Sequence, residues 1–300
     1  MIHSSRTLWI SAIAIFIVIL QWSEISQANP DSDYSGPRTT PRPPIYDYIP
    51  SIKRQHNAAL IFLHRAGLNG TEMKHWVQVL IGSTEFQHIK VIFPTAPVQS
   101  YTLLNKKKRV IWYDQDSFTF DAEEKINSFK SGEKVISEII NYEINTGIPM
   151  NRIIIGGFSM GGVMALHYGY RMSSGLAGVF ALSAFLPNKT KLYDAIRESN
   201  QTHKPPLFMA TGDGDEFIRE KWCEHTFEKL QECDVKGEYY SIRKMLHTMS
   251  VQEMVRLWDW IHRIVPDGSQ YDVQTTPEDS GTDEDYYGDR KYTKFQKIVV

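Results

Sequence analysis

Apolar residues along the chain follow two different periods. Short unbroken apolar runs, typical of strands buried on both faces of a sheet, occupy 58–64, 89–93, 153–155, 179–182, 206–210 and 238–242. Between them, apolar residues recur every three or four positions, which predicts amphipathic helices at 71–81, 127–145, 192–198, 216–233 and from 251 onward. Strands that alternate with helices of this length predict a parallel sheet with helices on both faces.

The last helix has the clearest predicted buried stripe. Its apolar residues at the helical period are Val251, Met254, Val255, Trp258 and Ile261. This spacing predicts that all five pack against the sheet.

The two ends of the chain lack this pattern. Residues 8–20 form an apolar run that follows Arg6 and precedes small residues up to Ala28, which predicts a secretory signal peptide at 1–28. An uncleaved signal anchor is the alternative, although a membrane span needs about 20 apolar residues. Residues 29–50 are predicted to be a Pro-rich linker, and 267–300 an acidic disordered tail. The folded domain is therefore expected at 51–266.

Several local features fit a secreted protein whose stability does not depend on disulfides. Asn69, Asn188 and Asn200 each begin a glycosylation sequon. Cys223 and Cys233 fall on one predicted helix, about 15 Å apart along its axis. A disulfide cannot span that distance.

The charge pattern gives little reason to expect nucleic acid. The formal net charge is −2, so no broad basic surface is expected. Residues 106–109 (Lys-Lys-Lys-Arg) form the main basic run, which we interpret as a solvated loop. Binding of acidic head groups or glycans to this run is the alternative. No metal or cofactor is expected.

The segment Gly157-Phe158-Ser159-Met160-Gly161 carries the strongest chemical signal. It follows three isoleucines and precedes a predicted helix, which is the strand–turn–helix setting of a nucleophile elbow. The two glycines provide room where strand and helix backbones approach one another. We expect Ser159 to be the nucleophile and the Met160 N–H, at the helix N-terminus, to stabilise an oxyanion.

A serine nucleophile needs a histidine base and a carboxylate that orients it. In folds with such an elbow the chain order is serine, acid, histidine. Asp213 and Asp215 follow one predicted strand and His247 follows the next. Because the carboxyl ends of parallel strands face the ligand site, we expect an aspartate and His247 to meet Ser159 there.

With these residues in view, the chain over 57–264 resembles the acyl-protein thioesterases. The motifs that carry the resemblance are Pro94-Thr95-Ala96-Pro97, Trp112-Tyr113-Asp114 and the segments 60–67, 155–162 and 212–215. The resemblance implies an α/β-hydrolase fold without a large lid and the triad Ser159, Asp215 and His247. It also implies hydrolysis of esters or thioesters, with an acylated protein, lysophospholipid or small ester as substrate.

The chain departs from the family at Arg65, where relatives have glycine. Ala66 would still provide the second oxyanion N–H, since a backbone donor needs no particular side chain. If the family glycine has a positive φ, however, Arg65 would either strain the backbone, at a cost of about 1–3 kcal/mol, or displace the loop. Two hypotheses therefore stand, a secreted serine esterase or thioesterase and a secreted pseudoenzyme that binds without turnover.

Overall fold

The computed structural model describes residues 45–53, 56–82, 86–172, 175–199, 204–267 and 290–292. The strands are β1 (Asp47–Ile49), β2 (Ala58–Leu63), β3 (Ile89–Phe93), β4 (Val98–Tyr101), β5 (Lys107–Val110), β6 (Ile153–Phe158), β7 (Gly178–Leu182), β8 (Leu207–Gly212), β9 (Gly237–Ile242) and β10 (Arg290–Tyr292). The α-helices are α1 (Gly70–Ile81), α2 (Lys130–Asn145), α3 (Met160–His167), α4 (Lys191–Glu198), α5 (Glu220–Glu232) and α6 (Val251–Ile264).

The central sheet has the order β1-β3-β2-β6-β7-β8-β9-β10. Its six inner strands are parallel, whereas the edge strands β1 and β10 pair antiparallel with β3 and β9. This confirms the predicted fold class. Because all inner strands run the same way, the carboxyl ends of β2, β6, β8 and β9 open at one edge of the sheet.

Two apolar cores lie on opposite faces of the sheet, and β2 shows how the sequence divides between them. Ala58, Leu60 and Phe62 face the core beneath α1 and α6. Ala59, Ile61 and Leu63 face the core beneath α2, α3, α4 and α5. Strand residues alternate between faces, so an unbroken apolar run supplies both cores at once.

The predicted domain limits differ from the structure at both ends. Strand β1 lies within the region 29–50 that was predicted to be a linker, and it pairs with β3 through Tyr48 and Ile92. Strand β10 lies within the predicted tail 267–300 and pairs with β9. Edge strands pair through backbone groups, so polar, proline-rich or acidic composition does not exclude them. The predicted signal peptide lies outside the described residues.

The basic run 106–109 is also more ordered than predicted. Residues 107–110 form β5, which pairs with β4 in a two-stranded hairpin. Asn105 and Lys106 have positive φ values of 53° and 62° at its tip. The prediction of a solvated loop fits only that tip.

The buried stripe of α6 is shifted around the helix from the one that the sequence pattern indicated. Val251 and Val255 are 54% and 50% exposed, whereas Met254 and Ile261 are buried. Leu257 and Trp260, which were not predicted to be core residues, complete the buried face. The two valines lie on the flank of the helix, and single apolar residues at a surface need no partner.

The two cysteines, Cys223 and Cys233, are free and buried, as their spacing predicted. Among the described residues, no helix combines the length and apolar content needed to cross a membrane.

Candidate active site

The turn between β6 and α3 holds Ser159 in a strained backbone conformation. Its φ is 56° and its ψ is −119°, a region that non-glycine residues rarely adopt. The Ser159 N–H donates to the Leu182 carbonyl of β7 at 2.8 Å. A Cβ atom at Gly161 would lie 2.3 Å from the Leu63 carbonyl oxygen, so only glycine permits this close approach of α3 to β2.

Three side chains predicted from the sequence meet at this turn. Nε2 of His247 lies 3.1 Å from Oγ of Ser159, and Nδ1 of His247 lies 2.7 Å from Oδ2 of Asp215. A carboxylate only accepts, so Nδ1 carries the hydrogen and Nε2 is left to accept from the serine hydroxyl. The arrangement can therefore remove the hydroxyl proton of Ser159.

The Asp215 carboxylate is fixed on both of its oxygens. Oδ1 accepts the backbone N–H groups of Phe217 and Ile218 at 2.9 and 2.8 Å. Phe217 and Ile218 lie at the start of the segment 216–233 that was predicted to be helical. The helix α5 begins later than predicted, at Glu220. The imidazole of His247 lies 4.9 Å from the Phe158 ring, which restricts its orientation.

Asp213 has a different partner. Its carboxylate accepts the backbone N–H of Lys244, a residue whose φ is 58°. Asp213 therefore stabilises the turn that leads to His247, and Asp215 is the carboxylate that contacts the imidazole.

The loop after β2 is held by a buried, neutral histidine. Nδ1 of His64 donates to the Arg65 carbonyl at 2.7 Å, and Nε2 accepts the Ala96 N–H at 3.0 Å. Burial lowers the pKa of His64 to about 4, so the imidazole stays neutral near pH 7. The indole N–H of Trp112 donates to the His64 carbonyl at 2.9 Å. Three hydrogen bonds thus fix the backbone immediately before Ala66.

Arg65 does not have the positive φ that would strain this loop. Among the described residues, positive φ outside glycine occurs at six positions, and Arg65 is not one of them. Its Nη1 donates to the Ala66 carbonyl at 3.2 Å. Burial lowers the pKa of its guanidinium. Arg65 therefore adds no positive-φ strain to this loop.

Both candidate oxyanion donors are available. Within the part of the chain that the structure describes, the N–H groups of Ala66 and Met160 make no backbone hydrogen bond. Gly161 packs against the carbonyl oxygens of Leu63 and His64, so the loop that bears Ala66 lies beside the N-terminus of α3.

A pocket with about 560 Å³ of empty space, part of it open to solvent, adjoins Ser159. Its apolar wall includes Tyr113, Phe129, Met160, Val163, Phe185 and Ile218. The connection between β5 and α2 contributes polar residues that sequence reasoning did not single out, including Glu124 and Lys125. Sequence gave no signal for them, because charged residues in a loop are usually solvated.

The start of this connection is fixed by Asp114, from the Trp-Tyr-Asp motif. Asp114 accepts the N–H and hydroxyl of Thr102 at 2.7 and 2.6 Å and the Lys125 ammonium at 2.9 Å. Burial alone would raise the pKa of Asp114, but these bonds outweigh it and the pKa is lowered. Among the described residues, no group of three potential ligands is placed to hold a metal ion.

Comparison with known proteins identifies the family of the chain. Residues 46–265 match the model of the phospholipase/carboxylesterase family. Lysophospholipase-like protein 1 of Mus musculus is 37% identical over 213 residues, which cover 71% of this chain and 89% of that protein. Acyl-protein thioesterase 1 homolog 1 of Dictyostelium discoideum is 33% identical over 224 residues, which cover 73% of this chain and 96% of that protein.

Solved structures show the same fold. Arabidopsis thaliana SOBER1 superimposes with a TM-score of 0.62 at 23% identity, covering 69% of this chain and 99% of that one. Zea mays acyl-protein thioesterase 2 gives a TM-score of 0.62 at 21% identity, covering 74% and 99%. The chain therefore belongs to the phospholipase/carboxylesterase family of ester and thioester hydrolases.

Proposed function

We propose that the chain hydrolyses carboxylic esters or thioesters through a triad of Ser159, His247 and Asp215. The observation that carries this proposal is the unbroken series of contacts from Ser159 Oγ through the imidazole to the Asp215 carboxylate. In this reaction His247 takes the hydroxyl proton as Oγ bonds to the substrate carbonyl carbon. The N–H groups of Met160 and Ala66 stabilise the oxyanion that forms on the carbonyl oxygen.

The second half of the reaction uses the same groups. His247 gives its proton to the departing alkoxide or thiolate, which leaves an acyl-Ser159 ester. Water then loses a proton to His247 as it attacks the acyl carbon, and the bond from that carbon to Oγ breaks as His247 returns the proton to Oγ and the acid is released. Asp215 stays ionised throughout and stabilises the imidazolium that forms twice in each cycle.

The apolar pocket beside Ser159 supports an acyl chain as the substrate group that it binds. The names of the relatives, lysophospholipase-like protein and acyl-protein thioesterase, point to lysophospholipids and S-acylated proteins. We place both within the proposed substrate class, together with small neutral esters.

Hydrolysis of p-nitrophenyl butyrate and of an S-acylated peptide by the purified chain tests the proposal. We expect turnover of at least one substrate by the wild type and its loss in Ser159→Ala with unchanged thermal unfolding. Turnover that survives in Ser159→Ala would contradict the triad. Binding of the peptide without any turnover would favour the pseudoenzyme hypothesis.

We further infer that the chain enters the secretory pathway. The apolar N-terminal run supports this, and so does the exposed sequon residue Asn188. Asn69 is half-buried at the start of α1, where its Oδ1 accepts the Glu72 N–H at 2.9 Å. Asn200 lies outside the described residues.

Expression of the full chain with a C-terminal tag in animal cells tests this inference. We expect the protein in the medium and a loss of mass on glycosidase treatment that Asn188→Gln reduces. An unglycosylated protein confined to the cytosol would contradict it.

A further inference from the structure

The loop formed by residues 115–123, here called the pocket loop, is one wall of the pocket beside Ser159. Gln115, Phe118 and Ala122 are among the residues that it contributes to the lining. Its first end is fixed where Asp114 binds Thr102 and Lys125. Its other end is fixed by Glu124, whose partners belong to different elements of the fold.

Glu124 is a buried carboxylate with three hydrogen-bond donors. Its side chain is 7% exposed and that of His167 is fully buried. Oε1 accepts Nε2–H of His167 at 2.9 Å. Oε2 accepts the Thr190 hydroxyl at 2.7 Å and the Lys191 N–H at 3.3 Å. One side chain thus joins the pocket loop to the end of α3 and the start of α4.

The ionised form of Glu124 is the one that this environment favours. Burial alone would raise its pKa, but the hydrogen bond and charge interaction with His167 and the bond from Thr190 outweigh burial, and the pKa is lowered. Nδ1 of His167 is buried and has no hydrogen-bond partner among the described residues. Glu124 therefore accepts the one hydrogen bond recorded for this imidazole.

The elements that Glu124 connects are those that shape the site. Helix α3 begins at Met160, the proposed oxyanion donor, and ends at His167. Thr190 is the N-cap of α4 and accepts the Leu192 N–H at 3.2 Å. Phe129, which lines the pocket, lies 4.5 Å from the His167 ring.

We propose that Glu124 is a positioning residue that sets the selectivity for acyl-chain length. Its hydrogen bonds hold the pocket loop against α3 and α4, and the acyl chain packs on the wall that this loop forms. This rests on the proposed attack by Ser159, since the acyl chain enters the pocket only when its carbonyl carbon reaches Oγ. The shortest acyl group packs against the least of this wall, so the effect of Glu124 should grow with the length of the acyl chain.

The test compares p-nitrophenyl acetate, butyrate and octanoate as substrates of the wild type and Glu124→Gln. A glutamine keeps the size of the side chain but cannot accept from all three donors, because its NH₂ group replaces one acceptor. We expect kcat/KM for octanoate to fall about tenfold more than for acetate, through a higher KM. The proposal would be overturned if the ratio of kcat/KM for octanoate to kcat/KM for acetate stayed within about twofold of the wild-type ratio, or if kcat/KM fell equally on all three esters.

Two further comparisons test whether the effect of Glu124→Gln comes from lost hydrogen bonds or from the change in charge or side-chain size. Asp121→Asn removes a carboxylate from an exposed position of the same loop and should leave the selectivity ratio unchanged. His167→Gln keeps an N–H donor near Glu124 and should retain wild-type selectivity, whereas His167→Leu should reproduce Glu124→Gln. If Glu124→Gln does not fold, the two variants at His167 still test the proposal. Equal selectivity of His167→Gln and His167→Leu over the three esters would overturn it.

The outcomes distinguish this inference from the proposed function. If the wild type does not hydrolyse acetate, or Ser159→Ala still does, the triad fails. If acetate hydrolysis depends on Ser159 but selectivity does not depend on Glu124, only the positioning role fails.

Discussion

Asp215 contacts the imidazole of His247, with 2.7 Å between Oδ2 and Nδ1. Asp213 lies only two residues earlier, yet its carboxylate turns to the backbone N–H of Lys244. The two aspartates of the Gly-Asp-Gly-Asp segment therefore have separate tasks. Asp215 contacts the proposed base, and Asp213 shapes the turn that carries it.

This division predicts unequal effects of two matched substitutions. Asp215→Asn should lower kcat about 10⁴-fold, because an amide N–H favours the wrong tautomer of His247. Asp213→Asn should change kcat less than about tenfold, since the asparagine oxygen still accepts from Lys244. Turnover of p-nitrophenyl butyrate measures both. Equal losses, or a larger loss at Asp213, would show that the assignment is wrong.

Arg65 provides a second prediction, on the loop of the proposed oxyanion donor Ala66. Because Arg65 has no positive φ and His64 and Trp112 already fix this backbone, Arg65→Gly should alter kcat on a neutral ester by less than about threefold. The same change should raise KM for an ester with an anionic leaving group, since it removes a cation that contacts the carbonyl of Ala66. A large rise of kcat on the neutral ester would instead support displacement of the loop by Arg65.

The neutral imidazole of His64 should matter more to this loop than Arg65 does. His64→Leu removes the donor to the Arg65 carbonyl and the acceptor of the Ala96 N–H. Weakening of one oxyanion contact costs about 2.7–4 kcal/mol in a well-studied hydrolase, so we expect kcat to fall by up to about 10²–10³. The measurement is kcat on p-nitrophenyl acetate, with circular dichroism to verify folding. A folded variant with wild-type kcat would contradict this role.

Much of the triad could be predicted because its signals are local. A strand, a glycine-flanked serine and a helix follow one another directly, and Asp215 and His247 each follow a strand that the apolar pattern reveals. The parallel direction of those strands then brings the three side chains to one edge. The strand pattern alone left Asp213 as an alternative to Asp215 because both follow the same strand. The family resemblance implied Asp215, and in the fold Asp215 contacts the imidazole.

The pocket loop could not be predicted in the same way. Glu124 and His167 are separated by 43 residues and share no periodic pattern, so their contact appears only in the folded chain. The edge strands β1 and β10 were missed for a different reason, since they pair by backbone hydrogen bonds and need no apolar run. At Val251 and Val255 the helical period was right, but which side of α6 is buried depends on how the helix packs.

Glu253 in α6 predicts a distinctive dependence of stability on pH. The side chain is fully buried, and among the described residues neither carboxyl oxygen has a hydrogen-bond partner. Burial raises its pKa from 4.5 to about 8, and the charge of Asp215 adds to this effect. Between these two values the folded state keeps a proton that the unfolded state has lost, so the stability contributed by the neutral carboxyl falls as pH rises.

Glu253→Gln should remove this dependence. As pH rises from 5 to 8, the free energy of unfolding of the variant should increase relative to that of the wild type, on the order of a few kcal/mol. Guanidinium unfolding at both pH values measures the difference, and the exposed residue Glu228 offers Glu228→Gln as a matched control that should show no such gain. Parallel pH profiles for the wild type and Glu253→Gln would show that Glu253 does not titrate between these states.

We propose that Ser159 is an activated nucleophile, and covalent labelling by a fluorophosphonate measures that activation. The reagent phosphonylates a serine only when a base removes the hydroxyl proton and the oxyanion site accepts the developing charge. We predict that the wild type gains the mass of one phosphonyl group on the peptide that contains Ser159. Ser159→Ala should gain none, and Asp215→Asn should react far more slowly than Asp213→Asn. A wild-type chain that stays unlabelled while correctly folded would contradict the account.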